Sequence, residues 1–339
     1  MIRGSMRTPS GFPVANRYAL TETDPGEHLD SLAAAVAEGL GKRPRSLPCR
    51  FLYDERGSEL FEDICALPEY YLTRAEHQLL RDHADDVVSE LPSHVTLAEL
   101  GSGSSTKTRL LIEALLRRQS RLRYVPVDIS RSILAESAES LLEDYGALEI
   151  HAIASEYQAG LRHVRDETQT PKLIAWLGSN VGNFDRTSAA RFLHGIRDVM
   201  RTEDRLLVGI DLRKERSVLE AAYDDAAGVT ARFNLNLLTR INRELDANFD
   251  LEHFRHYADW REDEGRVELG LVCAADQEVT IKALDLVLRF ERGERIHTED
   301  SYKYSFEEIE ALGRRAGLAL QKRWLDASGA YSLQLLSPA

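Results

Sequence analysis

Between residues 95 and 211 the chain alternates short, almost wholly apolar runs with amphipathic stretches, and this limits the fold more than any other feature. Residues 95–100, 124–128, 148–154, 172–177 and 205–211 read as strands. Residues 106–118, 131–145 and 187–201 read as helices between them. A strand that is apolar on both faces must be covered on both faces, which a parallel sheet with crossover helices provides. The expected class is therefore α/β, a doubly wound sheet.

The flanks have a different texture. Met-Ile-Arg-Gly-Ser before Met6 reads as a tag scar, and residues 7–26, rich in Pro, Gly, Thr and Ser without periodicity, as an N-terminal arm. The spacing of Leu29, Leu32, Ala33, Val36 and Leu40 is helical, and helices are expected again over 58–66 and 74–91. Adding the helix-rich stretch 217–243 gives a core of 92–243. Beyond it, β-rich runs at 266–274, 278–283 and 284–292 predict antiparallel pairing. Residues 244–304 are thus expected to join 27–91 in a smaller α+β substrate lobe. A helix at 305–316 and strands at 318–324 and 331–336 are expected to return 305–339 to the edge of the core sheet.

The chemistry concentrates first at Leu97-Ala98-Glu99-Leu100-Gly101-Ser102-Gly103-Ser104-Ser105-Thr106-Lys107, which ends the first core strand and opens a helix. Open α/β sheets bind ligands at such a position, and glycine lets the backbone approach them closely. A dinucleotide fingerprint would carry a third glycine where Thr106 stands. Glu99 would repel a pyrophosphate but could lie near a cationic sulfonium or amino acid. Asp128, at the end of the next strand, can accept hydrogen bonds from both ribose hydroxyls. This is the pattern of an S-adenosylmethionine (SAM) site in a doubly wound methyltransferase. A Gly-rich turn in another α/β protein is the plainer reading of the turn alone.

Two further stretches do not look like generic scaffold. Phe51-Leu52-Tyr53-Asp54-Glu55-Arg56-Gly57 leads into Leu67-Pro68-Glu69-Tyr70-Tyr71-Leu72-Thr73-Arg74-Ala75-Glu76. Later come Leu177-Gly178-Ser179-Asn180-Val181-Gly182-Asn183-Phe184 and Ala222-Tyr223-Asp224-Asp225. With the glycine turn, and in this order from about residue 45 onward, they resemble the L-histidine Nα-methyltransferase family, which forms hercynine in ergothioneine biosynthesis. The resemblance implies a SAM-dependent enzyme that trimethylates the α-amine of L-histidine and releases S-adenosylhomocysteine. It implies cofactor contacts at Gly101, Lys107 and Asp128, with Ser102 in the same turn. Glu156-Tyr157 falls where the family usually has Asp-Phe beside the adenine, a departure. Tyr70 and Tyr223 match the tyrosines that bind the substrate carboxylate. Asn183 matches the residue that holds the amine, with Gly178 as a backbone contact and Tyr53 nearby as candidate proton relay. Glu299 and Ser301 match the pair that reads the imidazole, and Leu269 an apolar position of the pocket.

Composition narrows the alternatives. A formal net charge of −13 disfavours nucleic acid as a partner. No run is long and apolar enough for a membrane span, and the N-terminus lacks the apolar core of an export signal. Three scattered cysteines fit a reducing cytoplasm. The histidines show no metal-binding spacing, Asp224 and Asp225 read as structural acids, and no metal is expected. A monomer is the expected state. Methylation of another amino acid such as tryptophan, and a non-catalytic SAM- or amino-acid-binding protein, remain open alternatives. A nicotinamide oxidoreductase is disfavoured by the missing third glycine.

Overall fold

The computed structural model describes residues 17–22, 27–167 and 169–339. The tag scar and most of the expected arm, like the side chain of Leu29, lie outside the described residues. Within the arm the structure departs from expectation: Tyr18–Glu22 is a strand, β1, paired in parallel with residues 148–154. It is held by the Arg17 guanidinium, which donates to the carbonyls of Leu142 at 3.0 Å and Tyr145 at 2.9 Å. With only Tyr18 and Leu20 turned to the core, a five-residue edge strand is too short to show a hydrophobic period.

The chain continues with helix α1 (Glu27–Gly41), the two-residue strand β2 (Arg45–Ser46), and helices α2 (Glu55–Ala66) and α3 (Tyr71–Ser89). The expected alternation then follows: β3 (Thr96–Leu100), α4 (Arg109–Arg118), β4 (Leu122–Asp128), α5 (Arg131–Asp144), β5 (Leu148–Ala154), α6 (Tyr157–Glu167), β6 (Lys172–Trp176), α7 (Arg186–Val199) and β7 (Arg205–Asp211). Helices α8 (Arg216–Tyr223) and α9 (Val229–Glu244) lead to strands β8 (Phe254–Arg261), β9 (Arg266–Cys273), β10 (Gln277–Ile281), β11 (Leu286–Phe290) and β12 (Arg295–Tyr302). Helix α10 (Phe306–Ala316) and strands β13 (Leu318–Leu325) and β14 (Tyr331–Pro338) end the chain. The α10 helix is well specified locally, with a Ser305–Glu308 capping box at one end and Gly317 at the other.

The large sheet has the order β1-β5-β4-β3-β6-β7-β14-β13. Its first six strands are parallel and the last two antiparallel, so the C-terminal strands close the sheet edge. Every residue of β3 and β6 is buried, and each fully buried Leu or Ile contributes about 1.5–3 kcal/mol. From β3 the chain builds outward through β4 and β5, then crosses back to start β6 on the other side of β3. That reversal opens a crevice at the carboxyl ends of β3 and β6, where ligands bind in open α/β sheets.

A second sheet, β2-β12-β9-β8, and the hairpin β10-β11 stand beside the first. The packing of the helices differs from the grouping expected from sequence. Helix α3 covers the large sheet instead of the lobe: Tyr331 Oη donates to Glu76 at 2.7 Å and Trp324 Nε1 to Asp86 at 2.8 Å. Helices α8 and α9, assigned to the core by continuity, instead cover the second sheet and pack on α2 and β8. Asn236 Nδ2 donates to Asp54 at 2.7 Å across that contact. The reason is the apolar stripe Phe233, Leu237 and Ile241 of α9, fully buried here.

Candidate active site

The glycine turn after β3 is shaped by backbone geometry. Gly101 has φ +71, and a Cβ there would meet the Tyr157 hydroxyl at 2.6 Å and Asn180 Nδ2 at 3.1 Å. A side chain is therefore excluded on both conformational and steric grounds. The Gly103 amide donates to Asp128 Oδ2 at 2.9 Å, and Ser130 N to its Oδ1 at 2.9 Å. Burial raises the Asp128 carboxyl, and these amides partly offset it. One neighbouring group is left over: Ser102 Oγ is buried without a hydrogen-bond partner, and space is open above Gly103. A buried hydroxyl without a partner is costly, and a polar ligand held here would complete it.

Glu99 departs from expectation. It is buried, accepting from Thr108 Oγ1 at 2.6 Å and from the Tyr124 hydroxyl, and burial raises its carboxyl to about 7. Its lone pairs serve the fold under the turn, not a ligand above it. Tyr157 opens α6 against Trp176 and Phe192, beside Gly101. Glu156 stands apart, about half exposed and paired with Arg50 Nε at 3.4 Å.

Next to this turn lies a cleft of ≈ 500 Å³, counting its open mouth. Tyr53, Tyr70, Gly178, Asn183, Tyr223, Leu269, Glu299 and Ser301 all line it. They come from the turn before α2, the residue before α3, the loop after β6, the last residue of α8, and strands β9 and β12. Leu269 and Glu299 are direct partners across β9 and β12, so an apolar and an acidic side chain stand side by side. Tyr53 packs edge-on to Phe61 and Phe233, each with ring centroids 5.4 Å away, and Tyr70 meets Tyr223 edge-on at 5.9 Å. The Tyr223 backbone is fixed by His256, whose Nε2–H donates to its carbonyl at 2.8 Å; burial keeps that imidazole neutral.

The electrostatics refine the expected roles. Burial pushes the Tyr53 phenol well above its usual value, so it can pass a proton along hydrogen bonds but does not serve as a phenolate base. Burial raises Glu299 to about 7, with Lys303 pulling the other way. The Gly178 amide is already committed to Glu76, at 2.8 and 2.9 Å, which leaves its carbonyl as the group it can offer an amine. Lys107 is bound by the same glutamate; burial opposes its charge, but Glu76 outweighs this and raises it.

Sequence reasoning missed Glu76, Lys303 and Asp211, all fully buried. Two carried a signal. Glu76 falls on the apolar stripe of α3 with Leu72, Leu79 and Leu80, where a lone acid is anomalous. Lys303 continues the period-two series Glu299, Ser301 that already pointed into the pocket. Asp224 and Asp225, expected on one helix, lie between α8 and α9, and Asp225 caps the latter by accepting from Val229 N at 2.9 Å and Thr230 N at 2.8 Å.

A glycine turn at a topological switch point, an acid at the end of the next strand and an adjoining cleft fit a SAM-dependent methyltransferase. Residues 32–338 match the family of SAM-dependent, histidine-specific methyltransferases, and the chain belongs to that family. It is 42% identical to histidine N-alpha-methyltransferase of Mycobacterium tuberculosis, over 91% of this chain and 95% of that one. The corresponding enzyme of Mycolicibacterium smegmatis is 39% identical over 90% and 94%. Ergothioneine biosynthesis protein 1 of Neurospora crassa is 35% identical over 87% of this chain, which spans 33% of that longer protein.

Proposed function

We propose that the cleft binds L-histidine and that the chain adds three methyl groups to its α-amine, giving hercynine for ergothioneine biosynthesis. The reading is carried by one observation: all seven candidate substrate residues and the candidate relay Tyr53, scattered from position 53 to 301, line a single cleft that adjoins the glycine turn.

Gly101, Ser102, Lys107 and Asp128 would hold the cofactor, with Tyr157 and more distantly Glu156 on the adenine side. The unpartnered Ser102 hydroxyl and the space above Gly103 fit such a group. When bound, SAM supplies an electrophilic methyl carbon. The protein's own part is to present a neutral amine in line with it, and such alignment can contribute about 7–11 kcal/mol. Asn183 and the Gly178 carbonyl orient the amine, and Tyr53 relays the released proton toward solvent. Tyr70 and Tyr223 donate to the carboxylate, while Glu299 and Ser301 read the ring.

The substrate lobe is proposed to comprise α1, α2 and the segment from α8 through β12. We also infer a cytoplasmic monomer that does not engage nucleic acid. The exposed large apolar side chains among the described residues, Val218, Val287, Leu320 and Leu325, are few, and the cysteines are free. No helix among the described residues is long and apolar enough to cross a membrane. Isothermal titration in the presence of S-adenosylhomocysteine tests the substrate assignment. Binding of L-histidine in preference to L-tryptophan is expected, and preference for tryptophan would move specificity to the Leu269–Glu299 pair.

A further inference from the structure

A histidine substrate carries a carboxylate, yet among the described residues lining the cleft the only acid or base besides the tyrosine phenols is Glu299, itself an acid. The two tyrosines offer hydrogen bonds without charge, so the compensating cation must lie elsewhere. It stands one layer back. Lys303 is fully buried where the chain leaving β12 meets the end of β7; Tyr304 N donates to Asp211 O there at 3.1 Å.

The Lys303 ammonium has three N–H bonds and three acceptors: Asp211 Oδ2 at 2.8 Å, Tyr223 Oη at 2.7 Å and Ser301 Oγ at 2.9 Å. An ammonium has no lone pair, so both hydroxyl oxygens accept from it. Those hydroxyls are also 2.8 Å apart, and one donates to the other. When Ser301 donates to Tyr223, the phenol oxygen is filled and its proton is turned into the cleft, aimed at an acceptor. Ser301 then keeps a lone pair for a ring N–H. Asp211 is shared with a second lysine, Lys214, at 2.5 Å; burial lowers that ammonium to about 8, so below this pH the cluster of two lysines and one aspartate retains one positive charge. Burial opposes the charge on Lys303, but Asp211 and Tyr223 outweigh it and keep the ammonium protonated.

We propose that Lys303 is a positioning residue that supplies the counter-charge for the substrate carboxylate from behind the pocket wall, acting through Tyr223. It orients the phenol as donor, and a charged neighbour strengthens the bond that phenol makes. The proposal rests on the reading of the cleft as an amino-acid site.

The test uses the full chain with S-adenosylhomocysteine present and titrates L-histidine and L-histidinol, in which an alcohol replaces the carboxylate. Lys303→Met is expected to weaken histidine about 10- to 100-fold, the range for a hydrogen bond to a charged group, and histidinol less than about 3-fold. Affinity for S-adenosylhomocysteine should hold. In a cycle with Tyr223→Phe, the double variant should bind histidine no worse than the weaker single variant, because both act on one bond. Where Lys303→Met fails to fold because Asp211 is left uncompensated, Lys303→Met/Asp211→Asn removes the orphan charge and is read by the same histidine-to-histidinol ratio. Equal weakening of both ligands, or additive losses in the cycle, would overturn the proposal. Wild-type protein that ignores histidine overturns the reading of the cleft and the proposal together. Wild-type and variant protein binding histidine alike overturn the proposal alone.

Discussion

Glu76 and Asp211 are both fully buried carboxylates, and each holds a lysine and a tyrosine hydroxyl. Glu76 accepts from Lys107, which follows the glycine turn, from Tyr331 at 2.7 Å and from the Gly178 amide at 2.8 Å. Asp211 accepts from Tyr71 at 2.7 Å and from two lysines, Lys214 and Lys303, the latter behind Tyr223. One acid against one lysine is a neutral cluster; one acid against two is positive. In the function proposed above, the neutral cluster would adjoin a cationic sulfonium and the positive one would back a carboxylate. The comparison teaches that this cleft keeps its walls mostly uncharged and stores its electrostatics one layer behind, where low dielectric makes each charge count for more.

Breaking the neutral cluster should have the largest effect. Glu76→Ala leaves Lys107, Tyr331 and the Gly178 amide without their common acceptor and should cost about 3–5 kcal/mol in chemical denaturation. Gly209→Ala should act through the same residue, since its Cβ would lie 1.9 Å from Glu76 Oε1. In both variants affinity for S-adenosylhomocysteine should fall more than affinity for histidine. On the positive side, Tyr223→Phe should weaken histidine about 10- to 100-fold in the same titration, with S-adenosylhomocysteine binding held within about 3-fold.

The pH dependence sharpens the contrast further. Burial holds Glu299 at about 7, against the usual glutamate value of 4.5. Its ionised form is the one that accepts an imidazole N–H, so the KM for histidine should climb as pH falls below about 7 while the KM for SAM does not. The folded protein keeps this proton at a pH where the unfolded chain has lost it. Glu299 therefore lowers stability as pH rises from about 4.5 to 7, and the loss is complete above that window. Glu299→Gln should flatten the KM profile and raise the melting temperature at pH 8. The smallest effect is expected at the rim: Arg50→Ala, removing an exposed ion pair with Glu156, should change the KM for SAM less than about 3-fold.

The two ends of the site differ in the same way in how far the sequence discloses them. The cofactor turn is local, a strand, two glycines and a helix within residues 96–118, and each part has a period or a steric reason that sequence displays. The substrate side is assembled from segments separated by up to 248 positions, counting from Tyr53 to Ser301, and only family resemblance could gather them. Neither route reached the layer behind. Nothing local in Asp211 announces two lysines, because Lys303 arrives from another sheet. The helices α8 and α9 differ from expectation for a related reason: chain continuity speaks for the core, whereas the Phe233–Leu237–Ile241 stripe chooses its partner by packing. Strand β1, held by Arg17 and by only two core-facing side chains, Tyr18 and Leu20, is too short a pattern to read.

The most direct test incubates the purified chain with SAM and L-histidine and follows the products by mass spectrometry. The account expects histidine carrying three methyl groups on its α-nitrogen, with one S-adenosylhomocysteine formed per methyl, and little product from L-tryptophan. Unmodified histidine alongside methylated tryptophan, or methylation on the imidazole ring, would contradict it.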